Sequence, residues 1–563
     1  MEKSNWWMFH GDPAHSGAIK GSNIQRANLD KFGLLHDIEI PGPVLSVPAV
    51  VDGYVYVGLA NNHDLPGSNG GKFLKIDLKS GKITHQFEWA IDPAQGDSHG
   101  FMGMGCTPAV WNGRVYFSAF DGKFYCLAQS DLKLEWVVDL RYADLAHNQP
   151  VTNPWEKDDP PPAGWCSPVV APNDGANGLV FVGIGEGENP QTYGFVYALD
   201  AKSGDVVWLY CTCQFTDGVP NVPNMIPPDA LTEDTLAKLP AMFSVGPNQP
   251  PVRGCSVWSS IAYDSQYDRI YCTTGNPSPD TCFPTKGFSN GILALNAASG
   301  AYCAFFQPPP ESSYRDTDND VDFGGSPTLF TLNGRRVVAA GCKNGSIFLC
   351  DAASLELLKW RQLLPLYNDG TQIPTVDPHV GPNDNRMDPF VPNRMSDEID
   401  QENYSGTYST PAVHAALGRL YIGVGGNNYH NVQAGIDYST TPFMRALDWQ
   451  TLDDAWELDN GDPRRYIAPT PPMYTTPGEA ALSSPLVLND LVFCSTSKVA
   501  LYAFDAYSGK MLWQDQLGEQ TGGMNGGYGY CLGPAAAGDY VVAGALVFGK
   551  SGGVLRIYGF KKG

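Results

Sequence analysis

The stretch that decides the fold is Tyr197-Ala-Leu-Asp-Ala-Lys-Ser-Gly-Asp-Val-Val-Trp208. A short apolar run ends in an aspartate, a Ser-Gly turn follows, and the chain resumes with valines and a tryptophan. Alternating apolar residues on both sides of such a turn read as two antiparallel strands. The phrase returns as Lys75-Ile-Asp-Leu-Lys-Ser-Gly81, Leu293-Ala-Leu-Asn-Ala-Ala-Ser-Gly300 and Phe348-Leu-Cys-Asp-Ala-Ala-Ser354. Later copies are Ala446-Leu-Asp-Trp-Gln-Thr-Leu452 and Tyr502-Ala-Phe-Asp-Ala-Tyr-Ser-Gly-Lys-Met-Leu-Trp513. Cys126-Leu-Ala-Gln-Ser-Asp-Leu-Lys-Leu-Glu-Trp136 keeps the tryptophan and moves the aspartate.

Each copy follows another strand pair, as in Thr107-Pro-Ala-Val-Trp-Asn-Gly-Arg-Val-Tyr-Phe117 and Ser484-Pro-Leu-Val-Leu-Asn-Asp-Leu-Val-Phe493. Four antiparallel strands per repeat make a propeller blade. Seven units are complete, and the stretch from Leu532 to Phe560 supplies part of another. Trp6-Trp-Met-Phe9 is expected to add the missing outer strand. The expectation is therefore all-β: an eight-bladed β-propeller of four-stranded antiparallel blades, one domain over residues 1–563. The recurring Trp and Gly are assigned to packing between blades and to blade corners. Long insertions at 141–164, 214–253 and 364–401 are rich in Pro, Asn and Asp, with a short helical signal at 233–239. They either cap one face or decorate the surface.

Composition narrows the function. A net charge of -23 argues against nucleic acid and anionic membranes, which call for basic patches. No apolar run reaches the length of a membrane span. Met1-Glu-Lys-Ser-Asn-Trp-Trp7 lacks the basic start and apolar core of a signal peptide, so the protein is cytosolic or an exported form already trimmed. The 13 cysteines sit mostly inside strands, and no Cys-x-x-Cys-His is present, which argues against covalent haem. Cys211-Thr-Cys213 is too tight for a zinc site, and Cys272 and Cys282 flank a turn where they could pair.

Four places carry candidate chemistry. Gly254-Cys-Ser-Val-Trp-Ser-Ser-Ile-Ala-Tyr-Asp264 presents Trp258, and Thr274-Gly-Asn-Pro-Ser-Pro279 ends a strand on Asn276. Such a pair suits a flat ligand on an indole beside a hard cation; the alternative for Asn276 is a turn asparagine. Val182-Gly-Ile-Gly-Glu-Gly-Glu-Asn-Pro190 offers Glu186 and Glu188 for a tight acidic turn or a cation site. Asp322 closes the run Asp316-Thr-Asp-Asn-Asp-Val-Asp-Phe323 and reads as a solvated charge or a general base. Lys343, in Ala340-Gly-Cys-Lys-Asn-Gly345, either caps a turn or meets an anionic ligand.

In this order the motifs resemble the quinoprotein dehydrogenases that use pyrroloquinoline quinone (PQQ) with calcium, most closely the soluble haem-free branch related to polyvinyl alcohol dehydrogenase. The resemblance implies Glu188, Asn276 and Asp322 as calcium ligands, with Glu186 as the alternative to Glu188. It implies Trp258 as the floor under the quinone, Asp322 as the base, and Lys343 as hydrogen-bond donor to the reactive quinone oxygen. Asn344, Cys106 and Ser167 would complete the cofactor pocket. Gly324 stands where lanthanide-using relatives carry an extra aspartate, which favours calcium. Two departures stand out: Cys106 is alone where many relatives have two adjacent cysteines, and Asp280 replaces a common tryptophan.

The function so implied is oxidation of a small-molecule or polymeric alcohol to a carbonyl, with electrons passing to a separate soluble cytochrome-type acceptor. It also implies a periplasmic or secreted location after signal removal. The alternatives are a non-catalytic, protein-binding propeller of the kind found in outer-membrane assembly, and a propeller enzyme that has lost PQQ.

Overall fold

The computed structural model describes residues 5–42, 44–62, 70–90, 101–140, 164–172, 178–185, 194–212, 225–226, 255–276, 288–308, 322–343, 345–363, 404–406, 408–427, 444–456, 483–496, 500–517, 533–545 and 553–561. These form an eight-bladed β-propeller of antiparallel sheets. Blade one begins with the inner strand Ala49–Val51 and runs outward through Tyr54–Asn62, Gly70–Asp77 and Ile83–Ala90. Blades two to seven repeat this order from inner strands Ala109–Trp111, Val169–Ala171, Ala262–Asp264, Thr328–Leu332, Ala412–His414 and Leu486–Leu488.

Blade six differs: its described sheet has three strands, and Asp454 adds only an isolated bridge to Leu447. Of the insertions, Met225–Ile226 pairs with the edge of blade three; the helical signal at 233–239 and any capping role lie outside the described residues.

Ring closure corrects one expectation. The outer strand of blade eight is Phe32–Ile40, paired with Gly553–Phe560, and not Trp6–Phe9. Trp6 bridges instead to Val50 on the inner strand of blade one. From there the chain crosses the axis. Val110 N–H donates to Trp7 O (2.7 Å), Tyr263 to Pro13 (2.7 Å), Leu329 to Ala14 (2.8 Å), Val413 to Ser16 (2.8 Å) and Val487 to Gly17 (2.7 Å). Inner strands have an unpaired edge facing the axis, and backbone groups buried there need partners. The N-terminal segment supplies them to blades one, two, four, five, six and seven.

Two histidines secure this axial segment. His10 contacts His15 O and Pro485 O through its two ring nitrogens, at 2.8 and 2.9 Å, and His15 Nδ1 contacts Pro327 O at 2.9 Å. Burial pushes His15 down to about 3 and lowers His10 as well.

The repeated Trp and Gly join neighbouring blades. Trp136 lies against Gly204, Trp208 against Gly300, and Trp456 against Gly509; a β-carbon on these glycines would fall 2.7, 2.6 and 2.6 Å from the respective indoles. Trp208 Nε1 also donates to Ala297 O at 2.9 Å and Trp456 Nε1 to Ala506 O at 3.1 Å, so these two rings are fixed in place as well as buried. Nearer the axis, hydroxyls clasp blade to blade: Thr107 N–H donates to Ser167 Oγ, Ser260 to Ser326, Ser326 to Thr410 Oγ1, and Thr410 to Ser484, all at 2.9–3.0 Å.

Two outcomes follow from this packing. Gly300→Ala should destabilise the protein by about 1–3 kcal/mol more than Gly334→Ala in urea unfolding. Both glycines have positive φ, but a β-carbon at Gly334 meets nothing within 4 Å, so the difference isolates the Trp208 contact. In acid, the unfolded chain takes up a proton at residue 15 that the folded chain refuses. Stability should therefore fall as pH drops from 6.5 towards about 3, with His15 contributing up to about 1.4 kcal/mol per pH unit. His15→Gln should flatten that slope in thermal melts taken across the window, and an unchanged slope refutes the assignment.

Candidate functional site

The site lies where the inner strands begin. In an antiparallel sheet the end of the second strand lies beside the start of the first. Trp258 and Asp322 precede the inner strands of blades four and five, and Asn276 and Lys343 follow the second strands of the same blades. Side chains far apart in sequence thus share one end of the ring, above the axial segment.

Glycines let the strand-start segments come close. A β-carbon at Gly183 would fall 2.4 Å from Val257, one at Gly185 2.6 Å from Ser256, and one at Gly194 2.2 Å from Cys255 O. The segment carrying Trp258 therefore packs backbone-first against blade three. Cys255 N–H donates to Asn276 O at 2.8 Å, and Gly275 N–H to Ser256 O at 2.8 Å. These bonds pin Asn276 beside the same segment. The glycines near Glu186 and Glu188 thus have a packing role; the two glutamates and Asn344 lie outside the described residues.

At the centre is Asp322, which is fully buried. Its Oδ2 accepts from Trp258 Nε1 at 2.9 Å, and its Oδ1 lies 3.0 Å from Lys343 Nζ. Lys343, only 2% exposed, sits 4.9 Å from the centre of the Trp258 ring, within cation–π range. Its backbone N–H also donates to Asp322 O at 2.9 Å. Three of the residues singled out from sequence therefore form one contact across two blades. Removing one partner of a buried pair leaves an uncompensated charge, which is far costlier than removing both.

The donor chemistry fits a hard cation near a flat ligand. Asn276 and Asp322 bring an amide and a carboxylate oxygen, the ligand types calcium takes. Between them Gly275 leaves room: a β-carbon there would fall 3.3 Å from Asp322 Oδ2 and 2.5 Å from Ser256 Oγ. Trp258 is only partly buried, which leaves indole surface for stacking. Among the described residues no cluster of three or more His, Cys, Asp or Glu side chains forms a metal site.

Cys106 and Ser167 stand apart from this contact. The Cys106 thiol donates to Ser118 O at 3.2 Å, and burial pushes it up to about 11, so it is held as a neutral thiol. Ser167 serves the clasp from blade two, accepting from Thr107 N–H. Cys272 is a buried free thiol.

One residue was missed. Tyr408 approaches Lys343 Nζ to 5.3 Å and Trp258 to 6.4 Å between ring centres, with the two ring planes at 56°. A signal for it was present: Tyr408-Ser-Thr-Pro411 aligns with Trp258-Ser-Ser-Ile261, so both aromatics occupy one register position.

The buried pair gives a stability test. Lys343→Met should cost about 3–5 kcal/mol in urea unfolding, and Asp322→Leu a comparable amount. The double variant should cost less than either alone, whereas additive losses would show that the pair is uncoupled.

Comparison with known proteins finds similar chains over the same blades. A β-propeller domain described as glucose/ethanol/alcohol dehydrogenase matches residues 168–354, a span containing Trp258, Asp322 and Lys343. A second family, described as outer membrane protein assembly factor BamB, matches residues 36–210 and 472–557. The dehydrogenase subunit of alcohol dehydrogenase (quinone) from Gluconobacter oxydans is 28% identical over 359 residues, which is 59% of this chain and 41% of that protein. Quinohemoprotein alcohol dehydrogenase ADH-IIG from Pseudomonas putida is 27% identical over 388 residues, 64% of this chain and 46% of that protein. The chain spans less than half the length of these curated relatives.

Among solved structures, quinohemoprotein alcohol dehydrogenase from Comamonas testosteroni superposes with a TM-score of 0.63 at 18% identity, over 99% of this chain and 80% of that one. A europium-containing methanol dehydrogenase gives 0.64 at 17% identity, over 99% and 98%. These two show the fold, and the sequence matches cover the blades that carry the site. Over residues 168–354 the chain is similar to the β-propeller domain of the PQQ-dependent alcohol dehydrogenases.

Proposed function

We propose that this protein is a PQQ- and calcium-dependent dehydrogenase that oxidises an alcohol to a carbonyl and passes the electrons to a separate acceptor. The observation that carries the reading is the buried contact of Trp258, Asp322 and Lys343. A carboxylate and an ammonium withdrawn from water are expensive to keep in a ring built only to hold its shape. The residues matched by the assembly-factor family include none of these three, whereas the dehydrogenase domain spans them all.

Trp258 supplies the aromatic surface, and its N–H orients the Asp322 carboxylate. Asn276 and Asp322, with Glu188 or Glu186, would hold calcium. Asn344, Cys106 and Ser167 are assigned to the wall of the cofactor pocket. When bound, PQQ supplies the hydride acceptor and calcium polarises its carbonyl. Asp322 would take the proton of the alcohol hydroxyl. Lys343 holds a positive charge beside that carboxylate and offers a donor to a ligand oxygen. Burial of both groups excludes water from the proton's path.

Substrate and acceptor follow from the resemblance: a small or polymeric alcohol and a soluble cytochrome-type protein. A periplasmic or secreted location is part of the same proposal. Among the described residues no helix is long and apolar enough to cross a membrane.

The test is reconstitution. Protein supplied with PQQ and calcium should reduce an artificial dye in the presence of an alcohol. Asp322→Asn should lower kcat by about 10²–10⁴-fold, the range for loss of a positioned base, while equilibrium dialysis still shows bound quinone. Asn276→Ala should lose the dependence on added calcium together with activity. A fully active Asp322→Asn removes Asp322 as the base, and failure to take up quinone with calcium present overturns the whole reading.

A further inference from the structure

Trp258 and Tyr408 hold equivalent places in blades four and six. Each lies two residues before a clasp residue: Ser260, whose N–H donates to Ser326 Oγ, and Thr410, whose N–H donates to Ser484 Oγ. In blade five, between them, that place is Gly324. A β-carbon there would fall 3.0 Å from Tyr408 Cδ1 and 3.3 Å from its Cα, so the tyrosine is seated directly on the glycine. Its ring is thus brought towards Trp258 across the width of a blade. In the gap lies the Lys343 ammonium, 4.9 Å from one ring centre and 5.3 Å from the other. Both distances lie within cation–π reach, and at 2% exposure water does little to screen the attraction.

We propose that Tyr408 is a positioning residue for the alcohol oxidation, forming with Trp258 an aromatic clamp that holds the Lys343 ammonium in place throughout the reaction. The inference rests on the reading of Asp322 as the base. At rest the lysine is held by the carboxylate at 3.0 Å. The two ring faces add contacts at 4.9 and 5.3 Å to that ion pair, so the direction of the ammonium does not depend on the carboxylate alone. Gly324 is part of the device, because any side chain there pushes the tyrosine away.

Two kinds of measurement test this. In quinone-free protein labelled with ¹³Cε-lysine, the Lys343 signal, assigned by its loss in Lys343→Arg, should show an upfield ring-current shift of its methylene protons. Tyr408→Leu should move it towards the position of a free lysine, Tyr408→Phe should leave it in place, and Gly324→Ala should shift it partway. In protein loaded with PQQ and calcium, Tyr408→Leu should lower kcat about tenfold with KM for the alcohol within twofold, and Tyr408→Phe should restore kcat, because a ring face of that strength is worth about one decade of rate. The clamp is overturned if Tyr408→Leu leaves the lysine signal unmoved, or if Tyr408→Phe loses as much rate as Tyr408→Leu. If the signal moves as stated but no form of the protein oxidises an alcohol, the clamp stands and the dehydrogenase reading falls.

Discussion

A ring of blades turns an edge of each inner strand towards its own axis, where sheet partners end and bulk water is scarce. That constraint explains the first residues of the described chain. The segment from Trp6 to Gly17 accepts backbone hydrogen bonds from six inner strands in turn. Buried donors left unpaired would cost about 1–3 kcal/mol each, and pairing them offsets part of the cost of ordering this segment. With the donors satisfied, the segment also becomes a floor, and His10 and His15 tie it to blades seven and five. Trp258, Asn276, Asp322 and Lys343 gather at one end of the ring, where the inner strands of blades four and five begin.

The second level of organisation is the spacing between blades. Indoles seated on positive-φ glycines set the outer spacing, and the Ser/Thr clasps set it near the axis. Both devices recur in most blades, so neighbouring blades meet in similar ways. This matters for chemistry because the Asp322–Lys343–Trp258 contact spans blades four and five. A hydrogen bond of 2.9 Å from Trp258 across the blade boundary, onto a carboxylate held in a 3.0 Å ion pair within blade five, requires that boundary to be reproducible to a fraction of an ångström.

The site itself opposes stability. A fully buried carboxylate and a nearly buried lysine are held by each other, by an indole N–H and by two ring faces. Each partner offsets part of the desolvation of the others, and none suffices alone. The blades around them, joined by indole and hydroxyl contacts, hold the arrangement at the strand ends rather than on a free loop.

The local repeat was legible without coordinates. Period-two strands, Asp-Ser-Gly turns and an apolar residue or tryptophan after the turn recur because every blade solves the same packing problem. The blade count and the inter-blade role of Trp and Gly could be read from that pattern, and the motifs within it singled out Trp258, Asp322 and Lys343, which the fold brings into one contact. Tertiary structure alone decided the rest. Trp6-Trp-Met-Phe9 looks like an edge strand by composition, yet it lies on the axis, because only the closed ring creates the unpaired edges that draw it there. Tyr408 looks like an ordinary turn residue until blade six is set beside blade four. Both depend on closing the ring, a long-range event that no local pattern encodes.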